Sequence, residues 1–433
     1  IIRRTKPEPP GVAQPRISVE MRQTCCIAAK IAHLPHVGEG RGAIIRRGCA
    51  PRRDRSRIER ESMKVLVVAS TFPARDGEPV PSFVRDQILA MKACDARASF
   101  SVLAPHDPGS RAPLPRHPQF EQHRFHYFWP RSAERLTGRG ILPTLRGNPL
   151  FYLLVPFLFA GEFLALWSLT RRERPEVIYA HWFTPQAVVA WWVSGLTGTP
   201  FVFTSHSSDV EVWRRIPVVG PRTVRAVVRS AAAFTAVSQR TMDRIRGFFT
   251  ATEWVEIGTH GAVVPMGVHL PPAAAAQDTG PAAARCLVLF MGRLVEKKGV
   301  RFLLAAYARA RDRMPGSRLV VAGDGPLLDE LRGQAASLDL GDQVEFVGHV
   351  GGEQKAALLR QADVHVVPSI VSSTGDVEGL PVSLLEGLAW GKVCIATPQG
   401  GADEILETGR DGFLVPGADV EALAARLVEA FAL

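Results

Sequence analysis

Two glutamates in one short stretch, Glu378 and Glu386, bracket a segment whose residue types suit an anion. Between them Pro381 stands where a first helical position should fall, because its missing N–H costs nothing there. Val382, Leu385 and Ala389 recur at helical spacing, and Gly391 is a natural stop. A helix start offers free backbone N–H groups and the positive end of the dipole. The loop Glu378-Gly379-Leu380 therefore opens onto a phosphate-sized site. Glu386 falls roughly 7.5 Å beyond Pro381 along the axis, so one carboxylate flanks the anion and the other sits about a nucleoside's reach deeper. Upstream, Gly292-Arg293-Leu294-Val295-Glu296-Lys297-Lys298-Gly299 follows an apolar run. Arg293 and Lys298, at the end of that run, are placed to face the same anion and to stabilise a departing diphosphate. Taken alone, the same residues also fit a surface helix with two unrelated glutamates and a solvated basic loop.

The elements that must position these groups come in two series. Lys64–Ala69 is an apolar run of the kind a buried parallel strand requires. The turn-rich segment to Ser82 then feeds a helix over 82–93, with Ser82 as its N-cap. Further strands are expected over 175–182, ending in His181, and 200–204, running into Ser205-His206-Ser207-Ser208-Asp209. The runs 233–238 and 261–268 resemble the last two strands of a known type of N-terminal domain, and Phe125–Trp129 shows a strand-like alternation. The low-complexity run 269–284 reads as a linker. A second series opens at Cys286–Phe290 and continues with strands at 319–322, 344–348, 363–369, 393–397 and 412–415; Gly400-Gly401 is expected to continue the sheet. Gly323-Asp324-Gly325-Pro326 fails as a dinucleotide fingerprint, since Leu328 occupies the third glycine position. Alternating strands and helices in two halves predict two doubly wound α/β domains, 63–268 and 285–433, facing across a cleft.

The motifs resemble those of glycosyltransferase family 4, of the two-domain GT-B type. Glu378-x7-Glu386 followed by Gly387-x-x-x-Gly391 is similar to the family's donor signature, and Gly292-Arg293-Leu294-x-x-x-Lys298-Gly299 to its basic loop. Thr71-Phe72-Pro73, Pro81-Ser82-Phe83-Val84-Arg85 and the Gly-x-Gly-Pro turn at 323–326 point the same way. His206 and Asp209 match the family's Thr-His-Gly-x-Asp, with Ser207 where glycine is usual. The resemblance implies a retaining transfer from a nucleotide-diphospho-sugar, with Arg293, Lys298, Glu378 and His206 at the reacting centre. Glu378 would face the sugar and Glu386 the ribose hydroxyls, with Gly292, Gly379 and Leu380 beside the donor; Ser82, Asp209 and His181 would lie on the acceptor side. It also implies a glycan or lipid-linked acceptor. A sugar-nucleotide epimerase and a non-catalytic nucleotide-sugar-binding protein share this architecture.

Composition narrows the partners. The 433 residues are 46% hydrophobic and 22% charged, as in a globular protein. The net charge of +10 is concentrated in residues 1–62, where 14 basic and 6 acidic residues leave +8. The body is near neutral, which argues against nucleic acid as a partner. Residues 1–62 show no sustained period and no signal-peptide core, so they read as a disordered or mis-annotated extension before Met63, and the chain's end at Leu433 reads as truncated. Cys25, Cys26, Cys49, Cys94, Cys286 and Cys394 show no metal or disulfide spacing, which suits a reducing cytoplasm. With no Asp-x-Asp anywhere, no metal-held diphosphate and no metal cofactor are expected, and His117, His123 and His126 read as strand-edge histidines. Phe151–Leu169 is strongly apolar but carries Glu162 near its middle, so it reads as a core helix and not a membrane span. Arg146, Arg171, Arg172 and Arg174 around it would also suit an in-plane helix on anionic lipid at the inner face of the membrane.

Overall fold

The computed structural model describes residues 63–75, 78, 80–106, 116–137, 141–206, 208–271 and 286–433. The expected extension 1–62, Ser207 and most of the expected linker lie outside the described residues. The first domain comprises β1 (Lys64–Ala69), α1 (Phe83–Cys94), β2 (Ser99–Pro105), β3 (Glu121–Phe125), α2 (Ile141–Gly147), α3 (Val155–Glu173), β4 (Val177–His181), α4 (Val188–Thr197), β5 (Phe201–Ser205), α5 (Val219–Ser230), β6 (Ala233–Ala236), α6 (Gln239–Arg246), α7 (Ala251–Ile257) and β7 (Gly261–Val263). Its seven strands pair in the order β3-β2-β1-β4-β5-β6-β7, all parallel. The second comprises β8 (Leu287–Met291), α8 (Val300–Ala310), β9 (Arg318–Ala322), α9 (Leu328–Ser337), β10 (Val344–Gly348), α10 (Gly352–Gln361), β11 (Val364–Val367), α11 (Val382–Ala389), β12 (Val393–Ala396), β13 (Gly412–Leu414) and α12 (Val420–Phe431). Its six strands run β10-β9-β8-β11-β12-β13, again parallel.

The reason for this architecture is in the strands themselves. Val65 to Ala69 are buried without alternation, because helices cover both faces of a parallel sheet. In each domain the strand order reverses between the first strand and its neighbour across the switch point: β1 lies between β2 and β4, and β8 between β9 and β11. Loops leaving the C-terminal ends there diverge and leave a crevice. The loops after β1, β4 and β5 face those after β8 and β11.

Four expectations change. The alternation at 125–129 is not strand: β3 ends at Phe125, and Trp129 is exposed. Ser82 stands at the N-cap of α1, but its hydroxyl donates to Asp86 Oδ2 at 2.6 Å and not to the purpose of capping a backbone N–H. Gly400 and Gly401 leave the sheet in a 3-10 turn with φ of 70° and 78°. A Cβ on Gly400 would lie 2.5 Å from that of Glu378, so this left-handed pair is what lets the turn pass under the donor loop. The apolar stretch becomes a 3-10 turn, Pro149–Leu154, followed by α3. Only one stripe of α3 is core, with Leu158, Glu162, Leu166 and Leu169 inward, whereas Leu153, Phe157 and Leu164 are exposed. Glu162, the charge that argued against a membrane span, is turned into the core beside Gln186 Nε2 at 3.2 Å; burial pushes its carboxyl up to about 8, so it is neutral at pH 7.

The two domains touch at the start of α6. Glu404 accepts from the backbone N–H groups of Gln239 at 2.5 Å and Arg240 at 3.0 Å, and Arg240 pairs with Asp403 at 2.7 Å. Ser238 Oγ donates to the Gly379 carbonyl at 2.9 Å. Beside these, Val237 and Met266 of the first domain pack against Leu380 and Leu385 of the second.

The second glycine-rich feature of the donor helix has a packing origin. A Cβ on Gly387 would lie 2.6 Å from the ring of the buried His365 and 3.0 Å from Cys394 Sγ. Gly387→Ala is therefore expected to lower stability by about 1–3 kcal/mol through overpacking. Thermal unfolding checks this, and an unchanged Tm would mean that β11 and β12 give way freely.

Candidate active site

The loops at the crevice carry the groups expected to do chemistry. Ser82, His206, Asp209, Gly292, Arg293, Lys298, Glu378, Gly379, Leu380 and Glu386 all line one large cleft between the domains. His181 does not. It sits at the end of β4, fully buried, with Nδ1 3.0 Å from His206 Nε2. It is thus a partner of a cleft residue rather than a cleft residue.

On the second-domain side the dominant feature is a buried charge cluster. Glu378 is 9% exposed, and its two oxygens lie 3.3 Å from Lys298 Nζ and 3.6 Å from Lys297 Nζ. Burial alone would raise this carboxyl, but Lys298 and Lys297 outweigh it and hold the group below its ordinary range. Lys297 also pairs with Asp376 at 3.3 Å. Burial works against its charge, and Glu378 and Asp376 more than offset this, so it stays an ammonium. The two lysines occupy a short 3-10 turn, Glu296–Lys298, between β8 and α8, where Arg293 also lines the cleft. Glu386, a turn and more along α11, pairs with Lys355 of α10 at 2.6 Å.

Helix α11 begins at Val382, with Pro381 at its N-cap, and ends at Ala389 ahead of Gly391 with φ 66°. The loop Glu378-Gly379-Leu380 therefore feeds a helix start, as its residues require. Leu380 lines the cleft and also packs, buried, in the contact between the domains.

On the first-domain side the His206 ring packs tilted against Trp182 at 4.8 Å and Phe83 at 5.1 Å. Burial drives its imidazole down to about 3, and burial together with His206 drives His181 well down, so both are neutral. Asp209 lines the cleft, but Oδ2 accepts from Phe183 N–H and Oδ1 from Ser205 Oγ, each at 2.6 Å. Its carboxylate ties the loops after β4 and β5 together.

Among the described residues, the groups of side chains close enough to share a metal ion are His106, His126 and Glu134, and Glu121, His123 and Glu173. Neither group lines the cleft. His126 lies past the end of β3 and shares Glu134 with His106, while His123 of β3 meets Glu173 at 3.2 Å.

Sequence reasoning missed Lys297, Asp376, Lys355 and Ser238. Lys297 adjoins a motif lysine, so its neighbourhood was the available signal. Lys355 and Ser238 act across long separations that no local pattern records.

Two parallel α/β domains with the chemistry in the cleft between them define the GT-B type. The chain belongs to these glycosyltransferases: residues 100–268 match Glycosyltransferase Family 4, and residues 275–432 match glycosyl transferases group 1. It is 31% identical over 237 residues to a GDP-mannose-dependent alpha-(1-6)-phosphatidylinositol monomannoside mannosyltransferase of Mycolicibacterium smegmatis, covering 51% of this chain and 58% of that one. It is 33% identical over 141 residues to the amylovoran biosynthesis glycosyltransferase AmsK of Erwinia amylovora, covering 33% and 35%. The matched stretch thus spans less than two thirds of either curated relative. In fold it is similar to Anabaena HepE in complex with UDP and glucose, with a TM-score of 0.57 at 20% identity over 84% of this chain and 89% of that one. Starch synthase IV of Arabidopsis thaliana bound to ADP and acarbose gives 0.61 at 15% identity over 86% and 91%.

The buried histidines make stability depend on pH with a definite sign. Unfolded, each titrates near its ordinary value of 6.5; folded, both stay neutral far below it. As pH falls below 6.5 the unfolded chain takes up protons that the fold refuses, so stability drops by about 1.4 kcal/mol per pH unit for each histidine. His206→Asn is expected to reduce the slope between pH 6.5 and 4 by one proton. Denaturant midpoints across that range measure it, and an unchanged slope would show that His206 titrates normally in the fold.

Proposed function

We propose that this chain is a retaining, metal-independent glycosyltransferase that moves a sugar from a nucleotide-diphospho-sugar to a glycan or lipid-linked acceptor. The observation that carries this is the convergence of Lys297 and Lys298 on Glu378, in the loop that begins α11, with Arg293 lining the same cleft. Negative charge grows on the departing diphosphate as the glycosidic bond breaks. Fixed cations and a helix start meet it without reorganising. The names of the relatives and the nucleotide-bound neighbours, with UDP or ADP, support a nucleotide donor. Glu378 stays ionised beside the lysines and holds the donor sugar, while Glu386 takes the ribose hydroxyls. His206, neutral and stacked, shapes the acceptor side and offers polar ring atoms without competing for the proton. In this reading the leaving phosphate accepts the acceptor's proton. The cations do the work a metal does in other transferases, so turnover is expected to survive EDTA.

The protein works in the cytoplasm against an anionic membrane surface in the same reading. The exposed apolar side of α3 supports this: the most apolar 18-residue window of the 149–173 segment has a mean hydropathy of 1.9 with 22% of it buried, and Arg171 and Arg172 stand in the last turn of α3.

Three measurements test the proposal. A panel of nucleotide sugars should give released nucleoside diphosphate in the presence of acceptor; an altered donor sugar instead would indicate epimerisation, and neither product a binding protein. With a verified donor, Arg293→Ala and Lys298→Ala should each lower kcat by about 10²–10³ with little change in KM, and Arg293→Lys should recover little. Near-full turnover in both alanine variants would sink the assignment. Phe157→Glu should in turn abolish flotation with anionic vesicles while leaving the fold intact.

A further inference from the structure

A second constellation of polar side chains stands at the C-terminal ends of β2 and β3, outside the residues that line the cleft. The two strands are in register at Pro105 and Phe125, so His106 and His126, one residue further along each, come side by side. The ladder continues there, with His106 N–H donating to the Phe125 carbonyl at 2.8 Å, and the two imidazole rings lie 4.4 Å apart. Glu134 reaches them from just beyond the 3-10 turn Arg131–Ala133. Its side chain is fully buried. Oε1 accepts from the backbone N–H groups of Tyr127 at 2.6 Å and Phe128 at 3.0 Å, which fixes the carboxylate in place. Oε2 faces His106 Nδ1 at 2.6 Å and His126 Nδ1 at 2.9 Å. Both imidazoles are partly open to solvent, with 24% and 37% of the side chain exposed.

We propose that His106, His126 and Glu134 bind one zinc-class divalent ion through the two Nδ1 atoms and Oε2, with a fourth position open to solvent. The three atoms lie within 4.8 Å of one another. An ion about 2.1 Å from each is accommodated tetrahedrally by widening the Oε2–Nδ1 gaps by roughly 0.5–0.8 Å. The imidazole protons then move from Nδ1 to Nε2, so the ion replaces two hydrogen bonds without changing the charge on either ring. Three features favour an ion over hydrogen bonding alone. Among the described residues, the basic side chains paired with this buried carboxylate are the two histidines, and no lysine or arginine joins them. A buried anion needs compensating charge, and a neutral imidazole supplies only a dipole. Two imidazoles and a carboxylate form a donor set suited to Zn²⁺ and its neighbours, whereas Ca²⁺ and Mg²⁺ call for oxygen ligands. The two backbone N–H groups on Oε1 give the ligating carboxylate the outer support that metal sites require. The other group, Glu121, His123 and Glu173, has a single imidazole and no fully buried carboxylate. The ion would tie two strand ends to one turn and supplies no step of the glycosyl transfer, so this inference stands apart from that reading.

The test uses the full chain, stripped of metal by a chelator and returned to chelator-free buffer. Titration calorimetry with Zn²⁺ alone should show one saturable site, and saturating Zn²⁺ should raise Tm. His126→Ala removes the most exposed of the three side chains and should weaken binding at least about tenfold, the least that loss of even a supporting partner costs. Glu134→Gln keeps the shape and should weaken it likewise, whereas His123→Ala, in the other group, should leave affinity and Tm rise unchanged. Circular dichroism verifies the fold of each variant; if Glu134→Gln does not fold, His126→Ala decides. Co²⁺ bound in place of Zn²⁺ should show d–d absorption without a sulfur charge-transfer band. Absence of saturable Zn²⁺ binding would overturn the proposal and leave an imidazolium as the counter-charge of Glu134. Binding that survives His126→Ala, binding lost instead in His123→Ala, or a sulfur charge-transfer band would overturn it by placing the ion elsewhere.

Discussion

A carboxylate with almost no access to water survives as an anion only where fixed positive charge surrounds it. Glu378 imposes that requirement here, and much of the second domain is arranged to meet it. The turn after β8 delivers two consecutive lysines, Asp376 shares one of them, and the glycine pair at 400–401 keeps the space beneath the loop free of side chains. Removing both lysines would leave the buried Glu378 charge without compensation, which is far costlier than the net worth of the cluster. The same arrangement explains why the first loop and the loop before α11 must lie side by side. They leave the C-terminal ends of β8 and β11, which are neighbours only because the strand order reverses there.

The fold was legible because parallel strands covered on both faces write themselves as unbroken apolar runs. Lys64–Ala69 and Val364–Val367 stood out for that reason. The residues on the second-domain side could be picked out because Glu378 and Glu386 lie on one loop and its helix and Arg293 and Lys298 on another loop, and the structure brings both loops to one cleft. What stayed hidden depends on direction or distance. Glu162 counted as a charge in the middle of an apolar stretch, but only the helix phase shows that it points inward. His181 looked like a strand-end ligand residue, and only the register of β4 against β5 places it behind His206. The pairing of Lys355 with Glu386 joins two helices whose sequence carries no mutual signal. At 125–129 a period of two was present without a neighbouring strand to pair, so alternation alone did not make a strand.

The two halves of the cleft differ in electrical character. The donor side gathers charge and keeps it ionised, whereas on the first-domain side two imidazoles are held neutral among aromatic rings, and Asp209 is consumed by hydrogen bonds to its own scaffold. In the proposed transfer, a departing diphosphate and a neutral hydroxyl make these unlike demands. One fold serves both because each sheet presents its own loops to the shared crevice.

The contact at the start of α6 couples this chemistry to motion. Glu404 fills the first-turn N–H groups of a helix in the opposite domain, and Ser238, one residue before that helix, grips the carbonyl of the loop that begins the donor helix. Any hinge movement that separates the domains must uncover that helix start and release Gly379 in the same step. The attraction between a carboxylate and a partly exposed helix terminus is screened by ions. The contact that holds the two domains together at this point is accordingly one that rising ionic strength weakens, independently of the reacting groups.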